Sequence, residues 1–157
     1  MIDREKLLDF LTNIQAFAQP HSGGNLGDHL MNVFDILDAM DCPMAVCLAG
    51  GLHSVYGTCH FNKVSEDRRS VVSELFGVEV EYLVFLYATI NRPFGLEHID
   101  ELRIWRSNEP LTLDPRTVEE LRTIDAANLL EQGVDLSQYP LIAATMDARI
   151  ESSEGES

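Results

Sequence analysis

Residues 44–53, MAVCLAGGLH, constrain the fold most, because the segment is apolar on nearly every side until it reaches His53. Pro43 precedes it, and proline suits the first turn of a helix. A helix that is apolar all round has to be covered on every side by other elements of the protein. The sequence therefore predicts a buried central helix within a helical bundle.

Apolar residues elsewhere recur at spacings of three and four, which is the pattern of amphipathic helices. Asn25, Ser65 and Asp114 stand where a helix would need an N-cap. The predicted helices cover about residues 3–18, 25–41, 65–77, 80–92, 114–133 and 141–150. No run of alternating polar and apolar residues is long enough for a useful strand, so the predicted class is all-α, with six to seven helices.

The predicted organisation is one helical domain over residues 1–150, followed by a tail at 151–157. Residues 93–115 contain three prolines and are expected to form a long loop with one helical turn near 99–105. The tail is acidic and lacks apolar residues, which predicts disorder.

The charge is strongly negative: 11 Lys and Arg against 26 Asp and Glu give a net charge of −15. Such a field repels nucleic acid and anionic membranes, so we expect neither as a partner. A small anionic molecule stays compatible, because one cation in a pocket reverses the local field. Three cysteines without a CxxC pair, and an N-terminus without a continuous apolar core, favour a cytoplasmic protein without disulfides.

Three polar residues fall where the helices are expected to be buried: His29, His53 and Asp125. A buried imidazole or carboxylate needs a polar partner. One divalent cation would satisfy all three and leave coordination positions open, as in reactive metal sites. In the alternative, Asp125 is solvated and His29 bonds only a backbone carbonyl.

Three strings resemble the HD-domain superfamily of metal-dependent phosphohydrolases: HLMNV at 29–33, LAGGLHS at 48–54 and TIDAAN at 123–128. The resemblance implies an all-α core in which His29, His53 and Asp125 are metal ligands. The segment at 74–84, ELFGVEVEYLV, is similar to a stretch of RelA/SpoT-type guanosine tetraphosphate hydrolase domains. More closely, HSGGNLGDHL at 21–30 and AGGLHSVYGT at 49–58 are similar to an uncharacterised bacterial family.

The chain departs from the superfamily pattern at three positions. Ser54 stands where the superfamily has the Asp of its name, and Gly57 and Thr58 replace the Glu-Asp pair of the alarmone hydrolases. A neutral hydroxyl is a poor ligand for a divalent cation. Because the Glu-Asp pair is also missing, we do not expect the protein to hydrolyse guanosine tetraphosphate.

Two more histidines, His21 and His60, are predicted as general acid and base or as additional ligands, since imidazole titrates near neutral pH. The residues predicted to contact substrate are Ser54, Tyr56, Thr58, Arg68, Arg69 and Asn128.

Two functions follow from these residues. The first is a small metal-dependent hydrolase using Mn, Zn or Fe; non-heme oxygenase chemistry stays open, because two His and one carboxylate also describe those enzymes. The second is a non-catalytic helical module that binds a metabolite or a protein partner. The oligomeric state is left open.

Overall fold

The computed structural model describes residues 2–57, 66–92, 94–97 and 102–155. Within these ranges the protein is all-α, as predicted, with one two-stranded hairpin as its only sheet. The helices are α1 (Ile2–Asn13), α2 (Leu26–Ala39), α3 (Met44–Leu52), α4 (Glu66–Phe76), α5 (Val78–Thr89), α6 (Phe94–Glu97), α7 (Pro115–Glu131) and α8 (Pro140–Gly155). None of them has the length and apolar content needed to cross a membrane.

Helix α3 is the centre of the bundle, and its prediction as a buried helix is confirmed. Every residue from Val46 to Leu52 is buried, and α1, α2, α5 and α7 pack around it. Two glycines allow α3 to approach its neighbours closely. A Cβ atom at Gly51 would lie 2.4 Å from a methyl carbon of Leu7, and one at Gly50 would lie 2.3 Å from a methyl carbon of Leu37.

A short antiparallel hairpin precedes α2. Strands β1 (Pro20–His21) and β2 (Gly24–Asn25) pair through the turn at Ser22 and Gly23, whose φ angles are +41° and +85°. Positive φ at both central residues matches the two-residue turns that suit the twist of a hairpin. The N-cap of α2 is Asn25, as predicted; its side chain accepts a hydrogen bond from the Asp28 backbone at 2.8 Å.

Two elements differ in their bounds from the predictions. Helix α1 ends at Asn13 because Gln15 takes a left-handed conformation, with φ of 61°, and a 3₁₀ turn follows at Ala16–Ala18. Within 93–115 the described helical turn is α6, and in the described part of the predicted turn, Ile104 and Arg103 form backbone bridges to Ile90 and Pro110. Residues 98–101 lie outside the described residues.

The acidic tail also differs from its prediction, because α8 continues to Gly155. Hydrogen bonds within the helix accompany this extension: the Ser152 hydroxyl donates to the Ala148 carbonyl at 2.8 Å. At the other end, the Glu97 carboxylate accepts from the backbone of Leu141 at 2.6 Å and of Ile142 at 3.1 Å. Helix α8 is thereby anchored to α6.

Candidate functional site

Two of the predicted ligands, His29 on α2 and His53 at the end of α3, lie side by side in the interior. They are 3% and 2% exposed, and their Nε2 atoms are 3.3 Å apart. The rings meet edge to face, with centroids 5.1 Å apart. The pairing follows from the packing of α2 against α3, which turns the buried face of each helix toward the other.

The second nitrogen of each ring has a partner that can only accept a hydrogen bond. Nδ1 of His53 lies 2.6 Å from the Gly50 carbonyl oxygen, and Nδ1 of His29 contacts Oε2 of Glu131. Both Nδ1 atoms therefore carry hydrogen. In two neutral rings, the lone pairs on the Nε2 atoms then face each other with no hydrogen between them.

Only a cation resolves that arrangement. A shared proton does so by converting one ring to imidazolium, and a metal ion does so by accepting both lone pairs. Two imidazole nitrogens bound tetrahedrally at about 2.0–2.1 Å from one zinc ion lie about 3.3 Å apart. The observed separation fits a shared metal. Nδ1–H groups bonded to a carboxylate and a carbonyl are also how proteins orient histidine ligands.

Asp125, the third predicted ligand, lies on α7 and is 1% exposed. Its Oδ1 accepts from the Tyr87 hydroxyl at 2.5 Å and lies 3.4 Å from Nη1 of Arg92. Its Oδ2 is buried and has no hydrogen-bond partner among the described residues. An unpaired buried carboxylate oxygen is costly, so this atom is free to take a cation.

Tyr87 connects Asp125 to the histidine pair. Tyr87 lies on α5, and its ring packs edge to face on the ring of His53, with centroids 5.2 Å apart. The guanidinium of Arg92 lies 3.6 Å from the centroid of the Tyr87 ring. Within the described ranges, however, no three His, Cys, Asp or Glu side chains form a group that can hold a metal ion. The structure thus brings two predicted ligands together, whereas the third, Asp125, contacts Tyr87, whose ring packs on His53.

Burial sets the protonation of two groups in this interior. Burial first, then the neighbouring His29, lowers the pKa of His53 well below its ordinary value, so His53 is neutral at pH 7. Burial also raises the pKa of Tyr87 well above its ordinary value, although Arg92 opposes that effect. The Tyr87 hydroxyl therefore stays protonated and donates to Asp125.

A cleft of about 220 Å³ opens to solvent on the other side of His29. It lies between the hairpin, the start of α2 and the end of α7, and its lining includes His21, Asp28 and Glu131. The hairpin folds His21 back so that its ring centroid is 4.4 Å from that of His29. Burial, and to a lesser degree His29, lowers the pKa of His21, so its ring is neutral at pH 7.

Most of the predicted substrate contacts lie elsewhere. The Tyr56 hydroxyl donates to Glu81 at 3.3 Å, and Arg69 forms an ion pair with Glu81 at 2.6 Å. Arg68 donates to the Val55 carbonyl at 2.9 Å. Their roles in binding substrate stay predictions.

The remaining predicted residues divide into two groups. Ser54 directly follows His53 and is half-buried, and Asn128 is buried one turn after Asp125. Thr58 and His60 lie outside the described residues.

A sequence comparison places the chain in a family. The pattern of the domain of unknown function DUF6817 matches residues 10–92, more than half of the chain. The chain belongs to the DUF6817 family. The DUF6817 match contains both histidines of the buried pair, together with Tyr87 and Arg92, but it ends before Asp125. No curated protein and no solved structure matches the chain.

Three residues at the site were not predicted from the sequence: Glu131, Tyr87 and Arg92. One signal for Glu131 exists, because Asp125, Asn128 and Glu131 recur every three residues along α7 and continue one polar stripe. Tyr87 and Arg92 carry no such signal. Their contacts with α7 cross between distant segments, and Tyr87 sits within an apolar stretch of α5, residues 83–88.

Proposed function

We propose that the protein is a small metal-dependent hydrolase of the phosphohydrolase type, distantly related to the HD-domain superfamily and acting in the cytoplasm. His29 and His53 would hold one divalent cation, with Asp125 as the third ligand. The observation that carries the proposal is that the Nε2 atoms of the two rings face each other, while the Nδ1 atom of each ring donates a hydrogen bond to another group. The unpaired Oδ2 of Asp125 supports it.

A bound divalent cation would lower the pKa of a coordinated water and polarise a phosphoryl oxygen. Two neutral imidazoles and one carboxylate leave such a site with a net charge of +1, which attracts a small anion. His21 lines the cleft beside His29, and its ring is neutral at pH 7. It can therefore accept a proton on the side of the site that faces solvent and then return it. We therefore assign it the role of general acid and base.

The first test is metal analysis of the purified protein after incubation with Mn²⁺, Zn²⁺ or Fe²⁺ and removal of excess ion. We expect about one ion per chain in the wild type and none in His29→Gln or His53→Gln. His21→Gln is the matched control, since it removes an imidazole from the same neighbourhood but not from the pair. The absence of stoichiometric metal in the wild type would refute the proposal.

The second test is a screen of phosphomonoesters and nucleotides with the metal-loaded protein. We expect turnover in the wild type, none in His53→Gln, and a large loss in His21→Gln although its metal content is unchanged. Turnover that survives the loss of both His29 and His53 would mean that the chemistry takes place elsewhere.

The second candidate function is a non-catalytic module that binds a metabolite or a protein partner. It is favoured by the contacts of Asp125, which already accepts a hydrogen bond from Tyr87 and forms an ion pair with Arg92 in a buried position. In that case a proton, not a metal, joins the histidines. Divalent metals would then leave the melting temperature of the wild type unchanged, whereas the hydrolase proposal expects them to raise it.

A further inference from the structure

Glu131 is the only carboxylate within the described residues that bonds either member of the histidine pair. It is the last residue of α7, and its side chain is 19% exposed. Its Oε2 contacts Nδ1 of His29, and its Oε1 accepts from Nδ2 of Asn32 at 3.3 Å. Because both partners stand on α2, one helical turn apart, the two contacts hold the carboxylate against a single face of that helix.

This contact decides which nitrogen of His29 carries the hydrogen. A neutral imidazole carries its hydrogen on either Nδ1 or Nε2. Nε2 of His53 could accept a hydrogen bond from Nε2 of His29 whenever that atom carries hydrogen. Without an acceptor at Nδ1, the simplest arrangement is a hydrogen bond from Nε2 of His29 to Nε2 of His53. The lone pair of His29 would then point toward the cleft, and the pair could not share a metal ion.

We infer that Glu131 is a positioning residue, which holds His29 as the Nδ1–H tautomer and thereby directs its Nε2 lone pair toward His53 and a shared divalent cation. Gly50 performs the same role for His53 through its backbone carbonyl. The part of this inference that concerns metal affinity rests on the proposed function, whereas the tautomer of His29 does not.

The tautomer is read directly from ¹⁵N–¹H correlation spectra of the histidine rings in metal-free protein at pH 8. The His29 signals are assigned by their loss in His29→Gln. We expect hydrogen on Nδ1 of His29 in the wild type and its loss from Nδ1 in Glu131→Leu, because leucine offers no acceptor there. A wild-type His29 that carries hydrogen at Nε2 but not at Nδ1 would overturn the inference.

The matched control is Asp28→Asn, which removes one negative charge from the same cleft wall. Asp28 bonds Asn25 rather than a histidine, so its substitution should leave the His29 tautomer unchanged. A purely electrostatic effect of the cleft would instead shift the spectrum in both variants, and that result would also overturn the inference. The wild-type spectrum decides the question even if Glu131→Leu does not fold.

The second readout is the Kd for Zn²⁺ alone, measured by competition with a chelating dye. Removing a carboxylate that orients a histidine ligand weakens metal binding about 10–100-fold, so we expect that loss in Glu131→Leu and none in Asp28→Asn. An unchanged Kd in Glu131→Leu would overturn the inference. Failure of the wild type to bind Zn²⁺ would refute the proposed function, while the Nδ1–H spectrum would still support the orienting contact.

Discussion

The hydrogen bond from Tyr87 to Asp125 can be removed almost in isolation. Tyr87→Phe deletes the hydroxyl that lies 2.5 Å from Oδ1 but keeps the ring, on which the guanidinium of Arg92 stacks. Asp125 is 1% exposed, so water cannot replace the lost donor. A hydrogen bond to a buried charged group contributes about 1.5–3 kcal/mol, and we expect the free energy of unfolding to fall by that amount.

Urea unfolding followed by circular dichroism measures this loss. Tyr82→Phe is the matched control, because Tyr82 is on the same helix and is 47% exposed; its substitution should cost less than about 0.5 kcal/mol. The partner variant is Asp125→Asn, and the double variant completes the cycle. Since the two side chains are in direct contact, we expect a coupling free energy of at least about 1 kcal/mol.

Two results would refute the reasoning about this interior. One is a Tyr87→Phe protein as stable as Tyr82→Phe, which would mean that the hydroxyl does not bond Asp125. The other is additivity of Tyr87→Phe and Asp125→Asn, which would mean that the two groups are energetically independent despite their contact.

The other predictions concern parts of the fold outside this interior. Burial raises the pKa of Cys47 to about 12, so its thiol should resist disulfide reagents at pH 8, as checked by peptide mapping. In the unfolded chain the Cys47 thiol ionises near pH 9, whereas in the folded protein it stays protonated up to about pH 12. The protein should therefore become less stable as the pH rises from 9 toward 12, with the unfolding constant rising at most about tenfold for each pH unit. Gly51→Ala should lower the melting temperature, because overpacking against Leu7 costs about 1–3 kcal/mol and exceeds the about 1 kcal/mol that alanine gains in a helix; a higher melting temperature would contradict this. Asp35→Ala should cost at most about 1 kcal/mol in urea unfolding, since its ion pair with Arg4 is solvated.

The sequence predicted the features that depend on local pattern. An apolar segment without a polar side predicts a central helix, and Asn25 before an apolar run predicts an N-cap; both are present. The approach of His29 to His53 follows from two polar residues on buried helical faces, because each needs a partner inside the bundle.

Features that depend on contacts between distant segments could not be predicted in this way. Glu131 reaches His29 across the contact between α7 and α2, and Tyr87 reaches Asp125 across the contact between α5 and α7. The early end of α1 has a different cause, since the left-handed conformation at Gln15 interrupts a sequence whose apolar spacing continues.

X-ray absorption at the zinc edge of the loaded protein tests the central claim most directly, because it counts the imidazole ligands of the bound ion. The account predicts two imidazole nitrogens at about 2.0–2.1 Å in the wild type, and no spectrum of bound zinc in His53→Gln once excess ion is removed. A wild-type spectrum with fewer than two imidazoles, or one that does not change in His53→Gln, would contradict a cation shared by His29 and His53.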